Sequence, residues 1–486
     1  MKSKLSIIAS KKIQGASWII FSVYFISWMI YFTVKNVNNV YYDGWWYWTV
    51  AEPVFSDGFN ILNFPETFRG YVWPTLVQIV RLLGEKIFGS GYITYRLFTA
   101  ASLALFFTKI LPCLFEKKIE KIVDIMRMIL LLVILIVLWG SFFICPLSDF
   151  AALFFLISGI VSIQYSFSIE KKLYRFFLAV LAGVMLYAAY NTRAAYIYAL
   201  WLLLLTYIVL FVKGIMQKNK MLLDIVVGVA IGLIILALPQ SLINHQYINS
   251  YSPRVVTEQY TNYENDLQKT QVLWGLRYSN YETYIGPESE YPCASVIFVD
   301  EIGYEIIERE GLSEENFSYG ALAKLFFKYP MDMLSIYIRH FISLMTPKFL
   351  ETYISDMYPA KGLITLIVII IWFIALLNIL IMIQVKKIDW NLFGIVFVIF
   401  VPSLLQLFGA PEIRFFLAIH LIGYFYTLYY YDYENSLIIY KRYICPILVS
   451  FVIFFMLWTG ILSSILNSNQ ERTLLINDYN QSINSN

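Results

Sequence analysis

The feature that most constrains this chain is a succession of uninterrupted apolar blocks, each about 20 residues long, recurring from one end of the sequence to the other. At about 1.5 Å rise per residue, a helix of that length matches the hydrocarbon thickness of a bilayer. Inside lipid every backbone amide needs an internal partner, and the blocks lack the alternation of a membrane barrel, so each reads as a helix. The composition agrees, with 59% hydrophobic, 18% aromatic and only 14% charged residues. The fold class that follows is an all-α polytopic membrane protein in a lipid bilayer. A net charge of +3 from nearly balanced acids and bases makes no case for nucleic acid as a partner. The four cysteines, Cys113, Cys145, Cys293 and Cys445, lack metal-ligand spacing, and no HExxH, P-loop or dinucleotide fingerprint occurs.

Lys2, Lys4, Lys11 and Lys12 precede an apolar run from Ala16 to Val34 that is too long for a cleaved signal and has no small-residue cleavage site after it. It reads as an uncleaved anchor with its basic end in the cytoplasm. From there the pattern predicts about eleven spans, at roughly 16–34, 92–114, 128–146, 149–168, 175–190, 194–212, 222–240, 361–385, 391–408, 413–431 and 444–465. The basic clusters then share one side: Lys117, Lys118, Lys121 and Arg127; Lys171, Lys172 and Arg175; Lys213, Lys218 and Lys220; Lys386 and Lys387; Lys441 and Arg442. The expected topology is multi-pass in the cell membrane, N-terminus cytoplasmic and C-terminus outside.

This divides the chain into an N-terminal transmembrane module, 1–240, with an outer loop at 35–91; an extracytoplasmic loop, 241–360; C-terminal spans, 361–465; and an Asn- and Ser-rich outer tail, 466–486. The large loop mixes aromatics with acids such as Glu282, Glu290 and Asp300, which suggests a folded subdomain. Its segment from Met331, about 331–346, carries Asp332, Arg339 and His340 and is short and polar for a crossing, so an interfacial helix is expected there. A second surface helix is expected after Pro74. Cys145 and Cys293, both placed outside, could bridge loop and bundle.

Several charged residues stand where a membrane protein carries them at a cost. Asp43 follows the first span among Trp45, Trp46 and Trp48; it is either a solvated acid in an interfacial belt or a carboxylate at a cavity mouth, where rings stack on sugars and the acid accepts a proton. Arg69 and Gly70 make a turn between surface helices, and the glycine would let the backbone bend tightly beside the arginine. Asp149 opens a span, as a helix cap or as a second carboxylate facing the same cavity. Arg193 lies between two spans with almost no loop around it, facing lipid headgroups or a substrate phosphate. Glu412 and Arg414 sit at the rim of the tenth span, either paired with each other or binding a ligand. His420 follows inside that span and reads first as a satisfied interior histidine. Arg339 and His340 add two phosphate candidates.

Together these positions resemble the polyprenyl-phosphate-sugar-dependent membrane glycosyltransferases of the GT-C class, particularly bacterial relatives of protein O-mannosyltransferases and aminoarabinose transferases. The resemblance rests on an acid after the first span, Asp43; a surface helix after it; an acid at the next outer hairpin, Asp149; the Thr192-Arg193 element; and the rim motif from Glu412 to Phe416. It covers most of the chain except 241–330 and the tail, and departs from many relatives in having Asp43-Gly44 where they have Asp-Glu. It implies an outward-facing site with Asp43 and Asp149 catalytic; Arg69, Arg193, Arg339, His340, Glu412, Arg414, Trp45 and Trp46 binding substrate; and inverting transfer from a polyprenyl-phosphate sugar donor to a glycan or lipid-linked acceptor. A divalent metal at the two aspartates is left open. A surface polysaccharide polymerase or ligase, and a lipid-linked sugar flippase, are the competing expectations. A transporter should carry its charges near mid-bilayer and show repeated halves, whereas here the acids keep to one rim.

Overall fold

The computed structural model describes residues 2–35, 40, 42–65, 69–116, 122–256, 267–284, 294–352, 362–384, 389–431 and 437–468. The Cys145–Cys293 pairing depends on a residue outside these, as do Lys117, Lys118, Lys121, Lys386, Lys387, Glu290 and nearly all of the tail.

Ten helices among the described residues are long and apolar enough to cross a bilayer: Ser17–Lys35, Gly91–Leu114, Ile122–Ile144, Ser148–Ser168, Lys172–Thr192, Ala194–Met216, Lys220–Ile248, Gly362–Gln384, Trp390–Phe408 and Ile444–Asn467. Large apolar side chains stand exposed along them, Trp18, Leu205, Val209, Ile234 and Met456 among others, which is the surface a lipid solvent requires. The chain is a polytopic helical membrane protein. The remaining expected segment, 413–431, is also helical but composite: a 3-10 turn Ile413–Phe416, an α-helix Leu417–Phe425 and a π turn Tyr426–Tyr430.

For the elements used below, α1 is Lys2–Lys35, α2 Tyr42–Thr49, α3 Val72–Phe88, α4 Gly91–Leu105, α5 Ile122–Ile144, α6 Ser148–Ser168, α7 Lys172–Thr192, α8 Ile197–Met216 and α9 Lys220–Ile248. They are followed by α10 Leu267–Arg277, β1 Tyr278–Tyr284, β2 Ala294–Val299, α11 Glu301–Glu310, α12 Tyr319–Lys328 and α13 Pro330–Leu344. The chain forms two compact units: Met1–Ile136, Phe143–Thr257 and Asn391–Pro402 in the first, the rest in the second.

In the first unit α7 and α9 meet backbone to backbone. A Cβ on Gly183 would lie 2.1 Å from Val229 O, one on Gly232 2.0 Å from Val180 O, and one on Gly228 2.7 Å from the Ala179 Cβ. Gly228 and Gly232 are four apart, as are Ala179 and Gly183, so each pair shares one helix face and the faces interlock through small residues. Asn219 starts α9 by accepting hydrogen bonds from the Met221 and Leu222 amides. The expected surface helix after Pro74 is α3, which packs Trp73, Val77 and Val80 against Tyr47, Trp48 and Tyr95 and stops at Gly89 in the left-handed region.

The second unit contains the folded part of the large loop. There α10 to α13 enclose a core of Leu273, Leu276, Ile306, Ile307, Phe317, Leu325, Met333, Ile336 and Tyr337. The helix expected at 331–346 is α13, with one buried face. An antiparallel hairpin, β1 with β2, joins α10 to α11; the sequence reading placed no strand there.

Candidate functional site

In the first unit two carboxylates are each held by an arginine. Asp43 sits in the first turn of α2, and Arg69 Nη2 donates to its Oδ1 at 2.7 Å. The Arg69 guanidinium lies 5.0 Å from the Trp46 ring centre and 5.3 Å from that of Tyr47, so the pair is walled by aromatic faces. Trp45 is 48% exposed. Asp149 lies in the first turn of α6 and makes no cap; its Oδ1 is 2.5 Å from Arg193 Nη1. Asp149 is 6% exposed, and its other oxygen, Oδ2, is buried with no hydrogen-bond partner. A buried carboxylate oxygen in that state is costly and is normally satisfied by water or a ligand.

A close approach brings the two pairs into one neighbourhood. A Cβ on Gly70 would lie 1.8 Å from Asn191 O, and the Val72 amide donates to Asn191 Oδ1 at 2.8 Å. Arg69 precedes that contact by one residue, and Arg193 follows Asn191 by two. Gly70 is not among the positive-φ residues, so the turn expected of it is replaced by a different need: no side chain fits between the loop and α7.

In the second unit Arg414 Nε is 2.6 Å from Glu412 Oε1, and both residues are largely buried. Their turn is tied to β1, where the Tyr281 amide donates to Pro411 O at 3.2 Å. Next to Tyr281, the buried Glu282 accepts from Asn280 Nδ2 at 3.2 Å. The chain of contacts continues inward: Ser343 Oγ donates to Asn280 Oδ1 at 2.9 Å, and the buried Lys348 donates to Ser343 Oγ at 2.8 Å and Ser343 O at 2.9 Å. Burial pushes the Glu282 carboxyl up to about 7, with Glu412 adding to the rise and Lys348 opposing it. Burial likewise draws Lys348 down to about 8, against the pull of Glu282. Sequence reasoning missed Lys348, although a lysine in the apolar run after α13 was a signal, and it counted Glu282 only as one loop acid among many.

Arg339 and His340 have other partners. Arg339 grips the buried Asp300 with both arms of its fork, Nε to Oδ2 and Nη2 to Oδ1 at 2.7 Å each, while Asp300 caps α11 by accepting from the Gly303 amide. His340 is fully buried, its Nδ1 donates to Leu407 O at 2.8 Å, and burial holds it below the usual imidazole range. His420 is satisfied as expected: Nε2 donates to Leu344 O and Nδ1 accepts from the Tyr424 hydroxyl, both at 2.8 Å.

Among the described residues no group of three or more His, Cys, Asp or Glu side chains gathers as a metal site. Asp43 and Asp149 each engage a guanidinium. No protein-family model, no curated protein and no solved structure matches this chain.

Proposed function

We propose that this protein is a GT-C-type glycosyltransferase that moves a sugar from a polyprenyl-phosphate donor to a hydroxyl of a glycan or lipid-linked acceptor at the outer face of the membrane, in cell-surface glycan modification. The observation that carries the reading is the pair of carboxylate–guanidinium contacts gathered at one end of the first bundle, with the Asp149 Oδ2 buried and unsatisfied. The basic loops Lys171–Arg175 and Lys213–Lys220 lie at the opposite ends of the same helices, which supports an outward-facing site by the positive-inside bias.

The reaction uses Asp43 and both partners of the second pair. The acceptor oxygen attacks the anomeric carbon opposite the phosphate, and its proton passes to a carboxylate, Asp43 in this reading. The bond from that carbon to the phosphate oxygen breaks, its electron pair stays on the phosphate, and the configuration inverts. A guanidinium presents five donors, so Arg193 can hold Asp149 and still meet the developing phosphate charge. Asp149, close to that charge, offers its second oxygen to a sugar or acceptor hydroxyl. Trp46, whose ring lies over the Arg69 guanidinium, offers a sugar-stacking face, and the half-exposed Trp45 offers another.

Incubation of the purified protein with a panel of radiolabelled polyprenyl-phosphate sugars tests this. Consumption of one donor is expected, and Asp43→Asn should lower the rate by about 10²–10⁴-fold while leaving the protein folded and membrane-inserted. Lengthening of a lipid-linked glycan instead would indicate a polymerase. Movement of a donor across the bilayer without its consumption would indicate a flippase.

A further inference from the structure

One intramembrane cation takes no part in the chemistry above. Lys109 lies in the span Gly91–Leu114, five residues before its end and so roughly 7–8 Å along the helix axis from it. The helix passes there from α4 through a π turn, Phe106–Ile110, into a last α turn, Leu111–Leu114. Such turns shift the side chains around the helix axis and recur at functional sites. Here the shifted residue meets the first residues of the span Ser17–Lys35: Lys109 Nζ donates to Ser17 Oγ at 2.6 Å and lies 4.0 Å from the Trp18 ring centre. One turn further on, the Cys113 thiol is within electrostatic reach of Lys109, and its Sγ is 3.3 Å from Tyr165 Oη near the matching end of α6.

Among the described residues no carboxylate pairs with Lys109. Arg69, Arg175, Arg193, Arg339 and Arg414 each meet one. A lysine inside a span is costly unless it reaches the headgroup level or finds an anion. Two of its three N–H groups remain for such an anion, together with the hydroxyl hydrogen of Ser17. Trp18, 59% exposed, adds its indole N–H at the same level. From there Trp18, Phe21 and Phe25 follow one face of α1 toward mid-bilayer, with successive ring centres 5.5 and 6.5 Å apart and both phenylalanines partly exposed. A cation with spare donors beside a strip of rings matches a phosphodiester that carries an acyl chain. The basic loops Lys171–Arg175 and Lys213–Lys220 lie at this same end of the bundle, which the positive-inside bias assigns to the inner leaflet.

We infer that Ser17, Trp18 and Lys109 form a binding site for the headgroup of an anionic phospholipid of the inner leaflet, with an acyl chain lying along Trp18, Phe21 and Phe25. The site is at the opposite end of α1 from Asp43 and requires nothing of the transferase reading.

Native mass spectrometry of the purified full-length protein, released from detergent with palmitoyl-oleoyl phosphatidylglycerol or phosphatidylcholine added at equal concentration, tests the site. Wild type should hold phosphatidylglycerol about fivefold more tightly than phosphatidylcholine, and its thermal midpoint in detergent should rise with the first lipid alone. Lys109→Gln should lose most of that preference and the thermal shift, whereas Lys109→Arg should keep both. Removing a cation that has no protein anion strands no charge, so the melting point of Lys109→Gln without added lipid should match wild type. Ser17→Ala, which leaves the lysine in place, should weaken binding of phosphatidylglycerol by about threefold. Lys213→Gln, at an exposed lysine of the same end, should change nothing. Equal losses in Lys109→Gln and Lys213→Gln would mean a general attraction of anionic lipid to basic loops and would overturn the site, as would the absence of any preference in wild type. Displacement of the bound lipid by millimolar glycerol phosphate would show that a free phosphate suffices and would overturn the assignment to a lipid.

Discussion

Gly70 shows how little of a residue's role its type reveals. It is required because the loop passes so near α7 that any Cβ would collide with the Asn191 carbonyl. Gly70→Ala should therefore destabilise the protein by about 1–3 kcal/mol and displace Arg69 from Asp43, measured as a lower thermal midpoint in detergent with reduced donor turnover. Glu282 makes a pH prediction. Its carboxyl is raised by burial, so the native state favours the neutral form; its contribution to stability is full below the ordinary value of 4.5 and is lost as pH rises to about 7. Lys348, lowered by burial, has the opposite dependence, full above 10.5 and lost as pH falls to about 8. Wild type should thus lose stability relative to Glu282→Gln as pH rises from 4.5 to 7, and parallel melting curves over that range would contradict it. At this scale Asp43, Asp149, Arg193, Glu412 and Arg414 were legible, because a charge at the end of an apolar block demands a reason. The partners of Arg339 and Lys348 were not, because they lie 39 residues away for Arg339 and, by way of Ser343 and Asn280, 63 residues from the next link for Lys348.

Helices were legible as elements because each apolar block is about the length that spans a bilayer, and because α3 and α13 alternate apolar and polar faces at helical period. What the blocks did not disclose is which faces meet. The Gly228 and Gly232 pair went unremarked in the sequence, and its match to Ala179 and Gly183 on another helix is a tertiary fact. Gly232→Leu should separate α7 from α9 and cost about 1–3 kcal/mol, whereas Gly460→Leu, where a Cβ meets nothing within 4 Å, should leave the thermal midpoint unchanged. The hairpin of β1 and β2 escaped notice because short strands inside a long polar loop carry little periodicity, and because Glu282 and Asn280 face a buried polar network in place of an apolar core.

For the whole molecule, the basic clusters predict the orientation, and single cysteines in a background with Cys113, Cys145, Cys293 and Cys445 replaced by serine can read it. Lys171→Cys should react with a membrane-impermeant maleimide only after the cells are opened, and Glu308→Cys in intact cells; the reverse pattern would invert the topology and with it the outward site. The sequence alone determined that the chain is a multi-pass helical membrane protein, where its spans run, and which charges are too costly to be incidental, since hydrophobic length and the price of a charge in lipid are local properties. Only the tertiary structure decided how those charges are used. It paired Asp43 with Arg69 and Asp149 with Arg193, turned Arg339 to Asp300, buried Lys348 with Glu282, and joined Asn191, Gln240 and Asn244. Each of these depends on which helix faces touch, a choice made by small residues and polar side chains far apart in the chain and by no local pattern.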